Sequence, residues 1–211
     1  MDTFLQQVIN GLTAGSVYAV VALGYTMVYG IIQLINFAHG EVVMIGAMVA
    51  FTVINALAPF GLPALAVVLI GTGCAVAVCM LVGYSMERLA YRPLRGAPRL
   101  APLITAIGVS IILQHFALMI WSRNILAFPQ IIESQTYFIA GAAITTVQIA
   151  ILLICLALMS ALAWLVYRTP LGTAMRATAQ NPQVAGLMGI DVNRVIAATF
   201  VIGAALGAIA G

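Results

Sequence analysis

The sequence predicts an all-α fold, a polytopic transmembrane helix bundle in a single membrane domain, and three observations carry that prediction. Of 211 residues, 64% are hydrophobic and only 6% are charged, a balance that cannot furnish the solvated exterior of a soluble domain. The apolar residues gather into runs of about 20, the helical length that crosses a hydrocarbon core of about 30 Å. The cationic residues are all arginines, eight in number against five acids, and they lie in loops beside those runs, as membrane topology requires.

Six spans follow in order. The first, Leu12 to Ile32, is an unbroken apolar run that ends before the polar cluster INFAHGE (Ile35 to Glu41). Asp2 stands where a signal peptide has its basic start and further spans follow, so this run is expected to be a span and not a removed leader. The second span, Glu41 to Leu57, begins within that cluster and stops before APFGLP. The third, Ala64 to Met86, ends where the charged loop ERLAYRPLRGAPR (Glu87 to Arg99) begins. Pro102 to Trp121 forms the fourth, and the loop Ser122 to Thr145 leads to the fifth, Thr146 to Tyr167. After a polar island from Arg168 to Arg194, the sixth runs from Val195 to Gly211. It stops while still apolar, so the chain is expected to be C-terminally truncated.

Arginine sets the expected orientation. Arg88, Arg92, Arg95 and Arg99 occupy the loop after the third span, and Arg168, Arg176 and Arg194 the island, whereas the loop between them holds only Arg123. The two rich loops are expected to be cytoplasmic. Counting backwards places Gly30 to Gly40 inside and Met1 outside, without a basic residue among the first 87 to support it.

The chain contains no lysine. A P-loop needs that amine on the phosphates and a Schiff-base site needs it as nucleophile, so both chemistries are excluded. Cys74, Cys79 and Cys155 sit in apolar runs without metal-type spacing and read as small buried hydrophobes. No nucleophile, base and metal constellation supports an enzyme. No cofactor or metal is expected, nor binding to nucleic acid.

Three features bear on function. Asn36, His39 and Glu41 in INFAHGE form a polar cluster near membrane depth. They read either as capping of the second helix, with Glu41 against its positive dipole end, or as lining of a pathway, and the two are compatible. His39 and Glu41 are two apart, which on a helix sends them to different faces and argues against a metal pair. Gln114 and His115, in the fourth span, are candidates for the pathway or for an interhelical hydrogen bond. Gly11 with Gly15, and Gly203 with Gly207 and Gly211, give small-residue stripes suited to helix packing.

The island is the third feature. Ala174 to Gln180 favours a helix, Asn181-Pro182 breaks it, and Val184 to Met188 resumes a short helix that Gly189 ends. Ala177, Ala179, Ala185 and Gly186 offer small contacts where a lipid-anchoring face would present Trp, Phe or Leu, so docking into a groove on a partner protein is the preferred reading over a helix resting on lipid.

INFAHGE after the first span, ERLAYRPLRGAP after the third, and RATAQNPQVAGLMGIDVNRVIAATFVIGAALGAIAG across the last loop and span together resemble the LivH-type permeases of branched-chain amino acid ABC importers. The likeness covers essentially the whole chain, and the family's permease continues beyond the sixth span. It implies a multi-pass protein of the bacterial inner membrane with ATP-binding subunits on the cytoplasmic side, a second related permease, and a periplasmic substrate-binding protein. The family's counterpart of the EAA loop falls on Ala177 to Ile190, here without the usual glutamate. It implies coupling contacts at Arg176, Ala177, Ala179, Gln180, Asn181, Ala185, Gly186, Leu187 and Gly189. With Glu41 the only acid within a span, a small neutral or zwitterionic solute is expected. Branched-chain amino acids, urea and short amides all fit that description. A passive channel or ion-coupled transporter is the competing class, and no mid-span acid pair or filter repeat favours it.

Overall fold

The computed structural model describes residues 2–98, 100–121, 128–129, 135–139 and 142–211. Arg99, Arg123 and most of the loop after the fourth span lie outside the described residues, and so does their part in the topology argument. Eight helices are described: α1 (Asp2–Ile32), α2 (His39–Leu57), α3 (Ala64–Met86), α4 (Leu100–Trp121), α5 (Thr146–Arg168), α6 (Pro170–Gln180), α7 (Pro182–Leu187) and α8 (Val192–Ala210). Six of them are long and apolar enough to cross a membrane, and they are the six spans expected. The chain is a multi-pass bundle.

One helix start differs from expectation in an informative way, and one helix end continues in another winding. Helix α1 begins well before Leu12, at Asp2, because Gln6, Gln7 and Asn10 are tolerated in a helix that extends past the apolar core. Helix α3 ends at Met86, as expected, but the winding goes on past it. It loosens into a π turn over Glu87–Tyr91 and a tight 3-10 turn over Arg92–Leu94, where Pro93 removes a donor.

Helix α8 is the centre of the bundle. Half of its apolar window is buried, against 11–22% for the other spans, and it packs on α1, α2 and α3. Its small residues make this possible. A Cβ on Gly203 would lie 3.0 Å from the Gly24 carbonyl oxygen, one on Gly207 3.2 Å from a Val43 methyl, and one on Gly83 of α3 2.7 Å from the Ala204 methyl. Gly211 meets the Val43 backbone in the same manner. Gly11 and Gly15 do not share that role: nothing lies within 4 Å of a Cβ built on either. The same four-residue spacing thus marks packing on α8 and open helix surface on α1, because only the former faces another backbone.

The α1–α2 connection turns back into the bundle. Gln33 takes a left-handed φ of 58° to start the reversal, Asn36 Oδ1 accepts from the Ala38 amide at 3.1 Å, and the Asn36 carbonyl accepts from the His39 amide at 3.2 Å. The His39 imidazole then lies against Gly24 and Gly207. Gly207 stands 15 residues beyond Val192, so α2 starts about 22 Å along α8 at 1.5 Å per residue.

A two-stranded antiparallel hairpin, β1 (Thr136–Ile139) with β2 (Ala142–Thr145), was not anticipated in an all-helical reading. Its open edge is met by Gln6, whose side-chain amide accepts from the Ala143 amide at 2.8 Å and donates to the Ala143 carbonyl at 3.0 Å. Thr145 and Gln148 then form a capping box that starts α5. Of the cysteines, Cys79 and Cys155 are buried, whereas Cys74 is exposed on the flank of α3, contrary to expectation.

Candidate functional site

The segment between α5 and α8 is built by three successive caps. Thr169 Oγ1 accepts from the Gly172 amide at 3.1 Å and Pro170 follows in the first turn, so α6 starts immediately after α5. Asn181 stops α6 and starts α7 by accepting from the amides of Gln183 at 3.0 Å and Val184 at 3.1 Å. Gly189, at φ +86°, supplies the left-handed residue that ends α7. Asp191 caps α8 through the Asn193 and Arg194 amides at 3.1 and 3.2 Å. The Asn181-Pro182 break and the Gly189 stop fall where the sequence put them.

This segment is locked to the bundle rather than tethered to it. Helix α6 packs on α1, α5 and α8, and α7 on α6 and α8. Gly172 lies so close to the carbonyls of Leu165 and Val166 that no side chain fits there. Arg176 sits with its guanidinium 5.6 Å from the centre of the Tyr167 ring, a cation–π arrangement. It lines, with Met27, Met159, Leu162 and Ala179, a cleft of about 450 Å³.

The exposure of the segment sorts its residues. Ala177 and Ala179 are half-buried and Ala185 is buried, so Ala185 packs inward and is unavailable to a partner. Gln180, Asn181, Gly186 and Gly189 are exposed. The protruding apolar surface belongs to Val184, Leu187 and Met188, at 51%, 87% and 79% exposure. Val184 and Met188 were not among the sequence candidates. Three large apolar side chains on a short, polar stretch would have flagged them.

A second group gathers at the start of α2, and it splits the INFAHGE cluster three ways. Asn36 is buried and accepts from the Tyr91 hydroxyl at 2.9 Å. His39 is the first residue of α2, yet its side chain makes no cap and lies buried between α1 and α8, edge-on to Tyr25. Glu41 points the other way, to α4, where Ser110 Oγ and Gln114 Nε2 both donate to Oε1, at 3.0 and 2.7 Å. Ser110 is an addition to the sequence candidates. His115 does not join them: its Nδ1 lies 2.9 Å from the Ile111 carbonyl one turn back, and the ring is exposed. Asn36 and His39 therefore hold the bundle together, and Glu41 with Gln114 carries polarity to its surface.

The third group is an ion pair that links α3 to α8. Glu87, 2% exposed, pairs with Arg95, and the same guanidinium donates to Asn193 Oδ1 in the first turn of α8. A polar cleft of about 310 Å³ opens beside it, lined by Arg88, Arg92, Asp191 and Arg194. Sequence reading assigned this loop to topology alone. A carboxylate directly abutting an apolar span, with arginine eight residues on, was the available signal.

Comparison with known proteins agrees with this architecture. A family model described as branched-chain amino acid transport system / permease component matches residues 7–211. The chain is 46% identical to the high-affinity branched-chain amino acid transport system permease protein BraD of Pseudomonas aeruginosa, over 98% of this chain and 69% of that protein. It is 46% identical to the corresponding permease protein LivH of Salmonella typhimurium and 45% to that of Escherichia coli K12, in each case over 99% of this chain and 69% of the relative. No solved structure matches. A bundle of six apolar helices, matched along nearly its whole length, belongs to the permease-component family of branched-chain amino acid transport systems.

Proposed function

We propose that this chain is one of two related permeases in an ATP-binding-cassette importer of the bacterial inner membrane, carrying leucine, isoleucine and valine inward. A periplasmic binding protein delivers the solute, and ATP-binding subunits dock from the cytoplasm. The observation that carries this reading is the capped two-helix segment Pro170–Leu187, which is wedged against α1, α5 and α8 and projects Val184, Leu187 and Met188 outward. An exposed apolar ridge on a rigid base suits a groove on a partner, whose movement α5 and α8 would then receive as a change of tilt. The arginines around it support a cytoplasmic side for that face, where ATP is.

The substrate follows from the relatives' shared name and from the apolar, lightly charged spans. Co-purification tests the docking. With Leu187→Asp and Met188→Asp combined, recovery of the ATP-binding subunits with the permease is expected to fall at least about tenfold, since burying an unpaired charge at a contact costs more than about 1.4 kcal/mol. Recovery at the unaltered level would refute this assignment of the segment.

A further inference from the structure

We propose that Glu41, held by Ser110 and Gln114, is the site that receives the ammonium group of the transported solute. The proposal deepens the transport reading above and rests on it for the identity of the solute.

Depth is the first argument. Ser110 and Gln114 are 10 and 14 residues beyond Leu100, so they stand about 15 and 21 Å along α4, near the middle of a hydrocarbon core of about 30 Å. Glu41 reaches that level only because α2 starts inside the bundle. Helices α2 and α4 then run in the same direction, and Trp121 Nε1 meets Thr52 Oγ1 at 2.7 Å one span-half further along.

Incomplete pairing is the second. Both contacts fall on Oε1. Both groups donate, so that oxygen acts as an acceptor, and Oε2 is left to accept from a third donor. Among the described residues, neither ion pair includes Glu41. A carboxylate at mid-membrane is stable only beside a counter-charge or a water-filled path.

Access is the third. Gln114 and Gly40 are exposed on the bundle's flank, and nothing lies within 4 Å of a Cβ built on Gly40. Among the described residues, the carboxylate is therefore approachable from the side of Gly40, a position with no side chain to obstruct it. A primary ammonium has the charge and the three donors to bridge Oε2 and the Gln114 carbonyl oxygen together. A cation on the second permease is the rival occupant.

The test uses the complete assembly in proteoliposomes, with leucine-loaded binding protein outside. Glu41→Gln is expected to lower labelled leucine uptake at least about tenfold, the loss expected from one charge-assisted hydrogen bond, with both permeases still co-purifying. Gln114→Cys, in a background lacking Cys74, Cys79 and Cys155, supplies a second readout. The introduced thiol should react faster with an ethylammonium methanethiosulfonate than with its neutral analogue, and Glu41→Gln should abolish that preference. Uptake within about twofold of the unaltered assembly, an unreactive introduced thiol, or loss of the second permease from Glu41→Gln would each overturn the proposal. If the unaltered assembly carries no leucine, the transport reading fails, while the thiol's preference for the cationic reagent still judges the Glu41 site.

Discussion

Arg95→Met removes the only charge paired with Glu87 among the described residues and leaves that carboxylate where its side chain is 2% exposed. The methionine keeps most of the aliphatic bulk, so the change isolates the ion pair and its contact to Asn193. Removing the partner of a buried charge costs about 3–5 kcal/mol, because the remaining charge loses its partner without regaining water. For a chain of this size each kcal/mol moves the melting midpoint by about 2–4 °C, which gives a drop of about 6–20 °C. The midpoint is read in detergent by the fraction of full chain that stays monodisperse after heating. Glu87→Gln combined with Arg95→Met removes the stranded charge, and the pair should recover much of the loss through a favourable coupling of at least about 1 kcal/mol. Salt should weaken the effect in part, since Glu87 is buried but the Arg95 side chain is 22% exposed. A single variant melting within about 2 °C of the parent, or a double variant no better than Arg95→Met, would refute the view that this contact fastens α3 to α8.

Two further predictions follow from geometry. Gly83→Ala puts a methyl 2.7 Å from Ala204 Cβ and 3.0 Å from the Phe200 carbonyl oxygen, so the same melt should show a loss of about 1–3 kcal/mol, whereas Gly11→Ala, in open space, should gain about 0.5–1 kcal/mol from helix propensity. Equal responses at both positions would show that the α3–α8 approach is not tight. Asn181→Ala deletes both amide contacts that start α7, about 1 kcal/mol of cap, and should raise proteolytic nicking between α6 and α7 by about fivefold; Asn181→Asp, which keeps the acceptor, should not.

The spans were legible because hydrophobic length is a bulk property: α3 and α5 begin where the apolar runs do. Caps were legible in part, since Asn181-Pro182 and Gly189 act through the local chain. The rest depends on what faces what. Gly203 and Gly11 share one spacing, and only the structure tells which meets a backbone. The divergence of His39 and Glu41 followed from helical geometry, but that Glu41 would find Ser110, 69 residues on, has no local signature. The hairpin was hidden because four-residue strands between spans leave no period to read. Val184 and Met188, beside Leu187 on the ridge, were hidden for a different reason: the small residues of the island point equally to Ala185, which packing consumes.

The contacts of Gln6 acquire another meaning when α5 is considered as a moving part. At its starting end α5 is held by the Thr145–Gln148 box, by Gln148 Nε2 on Asn10 Oδ1 at 3.2 Å, and through β2 by Gln6. At its other end it carries α6, pressed onto the Leu165 and Val166 carbonyls at Gly172. One end is stapled and the other bears a handle, which is the construction of a hinged door. Over 23 residues, about 34 Å, a swing of only about 5° about the stapled end carries the handle about 3 Å. A sideways push smaller than one side chain at α6, taken against its packing on α1 and α8, would then widen or narrow the seam between α5 and α1, with the narrowest travel at the hairpin and the greatest beside Arg176.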